Sequence, residues 1–285
     1  MTRPITVGAD GTAESLAALH WAAREAVRRA LPLRVVHAWE KSDGGNDQDR
    51  TADAREALVR TAGDVTERHP GLTVTTDLVD GGPVEALVSA AAQAETLVLG
   101  SRGHGAIVGF LLGSVGQQVI AESTRPVVLV RAADQAESEA GGREIVVGQQ
   151  GGPEDSAAAL EFAFEAAAAR GAALRVVRAW SLPTVFTYSP GSLALLDEAG
   201  GLEPYEKKAL AEALAPWLER FPDVPVTQHV EMGSAGEVLL SVAARAQLMV
   251  VGRRAHRSAV GSRIGSVAHA VVHHAPSPVA VVPPF

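Results

Sequence analysis

The chain contains no cysteine, which excludes disulfides, thiolate nucleophiles and cysteine-ligated zinc or iron–sulfur centres. It is also short of positive charge: 25 Lys and Arg stand against 33 Asp and Glu, for a net charge of −8. Binding to a phosphate backbone needs clustered Lys and Arg, so no nucleic-acid partner is expected. No run of about 18 apolar residues, the length that crosses a bilayer, occurs in the sequence, so no membrane partner is expected either. The opening residues, MTRPITVGADGTAES, carry no apolar signal-peptide core. These absences predict a soluble, cytoplasmic protein, and the missing cysteine fits a reducing compartment. A Gly-Lys-Ser/Thr triplet is absent too, which removes the lysine-bearing P-loop. The dinucleotide fingerprint G-x-G-x-x-G is also missing.

What is present is a repeat. With 285 residues and 47% hydrophobic composition, the chain has material for two domains, each with a buried core. Residues 98–115, VLGSRGHGAIVGFLLGSV, match residues 250–267, VVGRRAHRSAVGSRIGSV, at half of their positions without a gap. LRVVHAW (33–39) returns as LRVVRAW (174–180). In each half short apolar runs alternate with stretches of helical periodicity: ITVGA, LRVVHAW, TVTTDLV, TLVLG and PVVLV in the first, EIVVGQ, LRVVRAW, VTQHV, LMVVG and PVAVV in the second. Helices are expected between them, including one near residues 52–68 and one near 204–221. Strands alternating with helices predict parallel sheets covered on both faces. The fold class is therefore α/β: two doubly wound, five-stranded domains in tandem, over residues 1–131 and 144–285, joined by a polar, acidic linker over 132–143.

The stretch after TLVLG carries the chemistry. Gly100, Gly103 and Gly113 are spaced G-x2-G-x9-G and are followed by Ser114. Ligands in open parallel sheets bind beyond the carboxyl ends of the strands, and this loop leaves such an end. Glycine lets backbone come close to a ligand, while a helix opening at Gly113-Ser114 offers unpaired N–H groups and a favourable dipole to an anion. The Ser114 hydroxyl is suited either to capping that helix or to donating to a phosphate oxygen. A phosphate cradle and a plain tight turn both fit these residues. Asp10, at the end of the first strand, is placed to accept hydrogen bonds from a ribose or to serve as a turn and cap residue.

As a whole the pattern resembles the universal stress protein family in its tandem, two-domain form. VGADG, LRVVHAW, the G-x2-G-x9-G-S loop and RPVVLV stand in that order. The resemblance implies Rossmann-like domains of strand order 3-2-1-4-5, with an ATP site in the nucleotide-binding subset of the family. It would place Asp10 at the adenosine and the Ala38 backbone at the adenine edge. Gly100 and Gly103 would lie along ribose and phosphates, and Gly113, Ser114 and Val115 at the triphosphate. Arg102 and His104 share the loop and either reach phosphate or face solvent. Asp10 and Ser114 would help place Mg²⁺. The resemblance also implies that last strands pair domains, so the two halves are expected to pack about a pseudo-twofold axis, with a homodimer as a further level.

The second half retains the corresponding Ala179, Gly252, Gly265, Ser266 and Val267, but Gln150 stands in place of Asp10 and Ala255 in place of Gly103. Arg253, Arg254, Arg257 and Arg263 enter the loop, either drawing phosphate or forming a solvated surface. ATP is therefore expected mainly in the first half. No catalytic residues are assigned, since neither a Walker lysine nor a carboxylate pair is evident, and slow ATP hydrolysis is the most that is expected. Alternatives are an enzyme transferring phosphoryl or adenylyl groups, or an interaction module that no longer binds nucleotide. The protein partner is unknown. His269 and His273, with His274 beside them, have helical spacing for a metal, yet histidine also suits a helix C-terminus; no metal site is assigned. Trp39 and Trp180 read as packing residues, and Tyr188 as a pocket cover or plain connection.

Overall fold

A computed structural model of the chain describes residues 2–39, 47–101, 113–131, 143–182, 201–253 and 264–285. Its first compact unit holds Met1–Glu137 together with Pro278–Pro283, and its second holds Ser138–Ser277 with Pro284–Phe285.

In the first unit the order is β1 (Ile5–Gly8), α1 (Ala13–Arg28), β2 (Leu33–Trp39), α2 (Asp47–Arg68), β3 (Val74–Asp80), α3 (Pro83–Ala92), β4 (Thr96–Ser101), α4 (Ser114–Glu122) and β5 (Val127–Arg131). The strands lie in the order β3-β2-β1-β4-β5, all parallel, with Ile5 beside both Leu33 and Thr96 and Leu97 beside Val127. Ile5, Thr6 and Val7 are each fully buried. Neighbouring side chains point to opposite faces of a strand, so both faces of β1 are covered. This is why these strands read as unbroken apolar runs rather than alternating ones. α1 supplies one cover through Ala18, Leu19, Trp21, Ala22 and Ala26, all buried. It starts where Thr12 accepts a hydrogen bond from the Ser15 N–H at 3.2 Å. α3 starts on Pro83, whose missing N–H costs nothing at that position. α2 begins at Asp47 rather than near residue 52.

In the second unit β6 (Glu144–Gly148), α5 (Ala157–Arg170), β7 (Leu174–Trp180), α6 (Glu203–Arg220), β8 (Val226–Met232), α7 (Ala235–Val242), β9 (Ala246–Gly252) and α8 (Ser266–His274) repeat the plan. Their strand order, β8-β7-β6-β9, is the 3-2-1-4 part of the first unit's order. α5 packs Phe164 against Trp217 and Phe221, with ring centroids 6.1 and 5.5 Å apart. It closes on Gly171, whose φ of 58° is the left-handed cap glycine adopts without strain.

The fifth strand of this repeat, β10 (Val279–Val282), completes the 3-2-1-4-5 order and is grouped with the first compact unit. It runs antiparallel on β5, with Val279 opposite Leu129, Ala280 opposite Val128 and Val281 opposite Val127. All of the expected linker except Arg143 lies outside the described residues, as does Tyr188. Trp39 and Trp180 end matching strands, and both indole nitrogens are buried with no hydrogen-bond partner among the described residues.

Candidate functional site

In the first unit strand order reverses between β1 and β4, which leaves a crevice at their carboxyl ends. The crevice holds a cleft of about 450 Å³, inside the roughly 300–1,000 Å³ usual for small-molecule sites. Its floor is apolar, made by Val36, Pro83, Leu87 and Leu99. Asp10, Thr12, His37 and Ala38 stand at its rim, and Gly113, Ser114 and Val115 close one end. The fold thus gathers Asp10, Ala38, Gly100, Gly113, Ser114 and Val115, residues spread over a hundred positions, around one space. Arg102, Gly103 and His104 lie outside the described residues.

The two described glycines of the loop motif serve different ends. A Cβ on Gly100 would come within 2.5 Å of the Glu14 carbonyl carbon and 2.7 Å of the Ser15 nitrogen. Gly100 is glycine so that β4 can touch the first turn of α1. Among the described residues a Cβ on Gly113 would meet nothing within 4 Å, and φ there is −58°, so neither described neighbours nor backbone conformation require glycine there. Gly113 is the N-cap of α4 without a side-chain cap bond, and Ser114 is the first helical residue, so the Ser114 hydroxyl does not cap the helix. The first closing bond runs from the Gln117 N–H to the Gly113 carbonyl at 3.1 Å. The amides of Ser114, Val115 and Gly116 precede it and stand at the cleft, the arrangement that favours an anion.

Asp10 is built into a local turn. Its Oδ1 accepts from the Thr12 backbone N–H at 3.0 Å and from the Thr12 hydroxyl at 2.6 Å. Its own N–H reaches Ser15 Oγ at 3.4 Å. Beside it His37 Nδ1 lies 2.5 Å from the Ala9 carbonyl oxygen. A carbonyl can only accept, so Nδ1 carries the proton in this bond.

The second unit has a matching cleft of about 530 Å³ on a similar floor of Val177, Ala235, Leu239 and Val251. Ala179, Gly252 and Val267 line it, while Gly265 and Ser266 form the start of α8. Gly265 has a φ of 83°, so here the helix opens on a conformation that requires glycine. A Cβ on Gly252 would meet only Ala159, at an ordinary 3.9 Å. The rim departs most. Gln150 occupies the Asp10 position, with its N–H donating to Ser156 Oγ at 3.0 Å. Glu154, Asp155 and Arg253 also line the cleft. Ala255, Arg254, Arg257 and Arg263 fall outside the described residues.

Sequence reading missed Arg178, Gln149 and Glu206, a hydrogen-bonded group of which Gln149 lines this cleft. The available signal was the one letter separating LRVVHAW from LRVVRAW. It also missed the apolar floor, whose members look like any other core residues. Among the described residues no cluster of three His, Asp or Glu side chains is arranged to hold a metal, and no helix is long and apolar enough to cross a membrane.

A sequence profile of the universal stress protein family matches residues 1–131 and 142–283. The chain is 34% identical to universal stress protein Rv2005c of Mycobacterium tuberculosis over 289 residues, 97% of this chain and 96% of that one. It is 32% identical to universal stress protein Rv1996 of the same organism, over 97% and 94% of the two chains. A universal stress protein of Archaeoglobus fulgidus shares the fold along 99% of this chain and 98% of its own, with a TM-score of 0.74 at 18% identity. The chain belongs to the universal stress protein family, as a tandem of two such domains.

Proposed function

We propose that the protein is a nucleotide-dependent stress and signalling switch that holds ATP, with Mg²⁺, chiefly in its first half. The supporting observation is the convergence in one cleft of an apolar floor, the amide-lined start of α4 and the Asp10 carboxylate. An adenine ring is flat and largely apolar, a ribose presents hydroxyl donors to a carboxylate, and a triphosphate seeks N–H groups and a helix dipole. The residues present fit those three parts, and the family includes adenine-nucleotide binders. Asp10, Ala38, Gly100, Arg102, Gly103, His104, Gly113, Ser114 and Val115 form the proposed site. The second-half set of Ala179, Gly252, Gly265, Ser266 and Val267 is proposed as a weaker one, since Gln150 offers no carboxylate to a ribose. ATP would order the loop over residues 101–112 for a protein partner in the cytoplasm to read.

The test is to denature the protein as purified, separate the released nucleotide by chromatography and count it per chain. About one ATP per chain is expected. Asp10→Ala and Gly113→Ala should each lower affinity about tenfold or more through the lost charge-assisted or close backbone contacts, and Ser266→Ala should leave occupancy unchanged. Two per chain would overturn the asymmetry. None, with no thermal shift on adding ATP and Mg²⁺, would overturn nucleotide binding and favour the interaction module.

A further inference from the structure

LRVVHAW and LRVVRAW differ at one position, His37 in β2 and Arg178 in β7. His37 makes a single bond there, to the Ala9 carbonyl. Arg178 makes three. Its Nε donates to Glu206 Oε2 at 2.6 Å, and its Nη1 donates to Gln149 Oε1 at 2.6 Å and to the Gly151 carbonyl at 2.9 Å. Gln149 Nε2 donates to that same carbonyl at 3.2 Å. The Arg178 side chain is only 13% exposed and Gln149 3%, so the bonds to Glu206 and Gln149 are partly shielded from water, while the one to the Gly151 carbonyl is exposed. The β6–α5 loop is thereby tied at Gln149 and Gly151 to β7 and, through Glu206, to α6.

In the first loop His37 bonds the Ala9 carbonyl, and the turn is closed by Asp10 on Thr12. A ligand hydroxyl meeting Asp10 exchanges one exposed hydrogen bond for another, at small net cost. A ligand that needs the second loop to shift must instead take acceptors from a mostly buried guanidinium. Leaving such a charge unpaired is expensive.

Building on the reading of the first half as a nucleotide site, we propose that Arg178 is a positioning residue that fixes the rim of the second cleft in one conformation. This tether, together with Gln150, keeps the second cleft from taking a nucleoside triphosphate as the first does. The identity of residue 150 alone does not decide it.

Two measurements on the full chain test this separately. The first is amide hydrogen exchange without ligand. In Arg178→His the Gln150 and Gly152 amides should exchange about tenfold faster or more, as expected when charge-assisted bonds are lost, with β6 and β7 amides unchanged. Arg178→Lys should loosen the same amides, because an ammonium cannot span three acceptors as the planar fork does. Unchanged exchange in Arg178→His, or full protection in Arg178→Lys, would overturn the tether. The second is calorimetric counting of ATP sites with Mg²⁺ present. Gln150→Asp should leave the count as in the parent, and Gln150→Asp with Arg178→His should add one site per chain. A site gained by Gln150→Asp alone, no site gained by the pair, or two sites in the parent would overturn the tether as the barrier to nucleotide. If the parent binds no ATP, the functional reading fails, while exchange still decides whether Arg178 holds the loop.

Discussion

Gly100 and Gly113 carry the same letter in one motif and answer to different forces. At Gly100 an added methyl meets α1 backbone at 2.5–2.7 Å, and backbone cannot swing aside as a side-chain tip can. Gly100→Ala should therefore destabilise the protein by about 1–3 kcal/mol, the usual cost of overpacking, seen as a lower urea midpoint. Gly113→Ala should leave that midpoint in place and weaken ATP. A Gly113→Ala protein that loses stability, or a Gly100→Ala protein that keeps it, would reverse this assignment. The spacing of the glycines was legible in the sequence, and Gly100 and Gly113 both line the first cleft. Which glycine serves packing was not, because the clash at Gly100 comes from Glu14 and Ser15, more than eighty residues away. Asp10 was likewise legible as either a turn residue or a ribose acceptor. The structure realises the turn, and the ligand experiment decides the other.

Periodicity identifies the helices and strands well, since a parallel sheet covered on both faces has to be apolar throughout. The group around Arg178 was not legible: Glu206 lies 28 residues away and Gln149 29, and no local pattern links them. Two elements carry expectations of their own. α6 contains Pro216 inside Glu203–Arg220, where proline removes a backbone donor and crowds the preceding turn. Pro216→Ala should raise stability by about 1–2 kcal/mol, measured by urea unfolding. On α8, burial first and then neighbouring His273 and His274 hold the His269 imidazole below its ordinary value of 6.5. The rings of His269 and His273 lie 4.2 Å apart. Between the lowered value and 6.5 the unfolded chain binds more protons than the folded one. Stability from this group is thus present above pH 6.5 and lost as the pH falls through the lowered value. His20 on α1 is lowered too, by burial and then by Arg68, and adds in the same direction. His269→Gln should flatten the slope of unfolding free energy in that window; an unaltered slope would remove His269 as a source. The effect is small, because His269 is exposed.

At the scale of the molecule the duplication was legible, and so was the pairing of last strands that the family resemblance implies, which β10 makes antiparallel on β5. PVAVV reads as the last strand of its own half, and β10 takes the fifth place in that half's order while its antiparallel partner is β5 of the first. The first unit therefore depends on residues from the far end of the chain. A fragment of residues 1–131 would present β5 with an unpaired edge, and bare edges of apolar strands associate. We expect that fragment to form dimers or larger species by light scattering, and a peptide covering residues 278–285 to shift it toward monomer. A monomeric fragment with full-chain stability would show that β10 adds little.

The placement of β10 also bears on how the protein is made. Translation runs at about 5–20 residues per second, and domains fold as they emerge. Between Arg131, where β5 ends, and Val279, where β10 begins, the ribosome spends roughly 7–30 s. During that time the first half has its other strands in hand and one flank open. The nascent chain is thus at its stickiest while the residues between β5 and β10 are being synthesised. Polysomes crowd many such chains together, so the interval favours trans pairing between neighbours on one message. Slower codons downstream of residue 131 would lengthen that exposure, and holdase chaperones would find their substrate there.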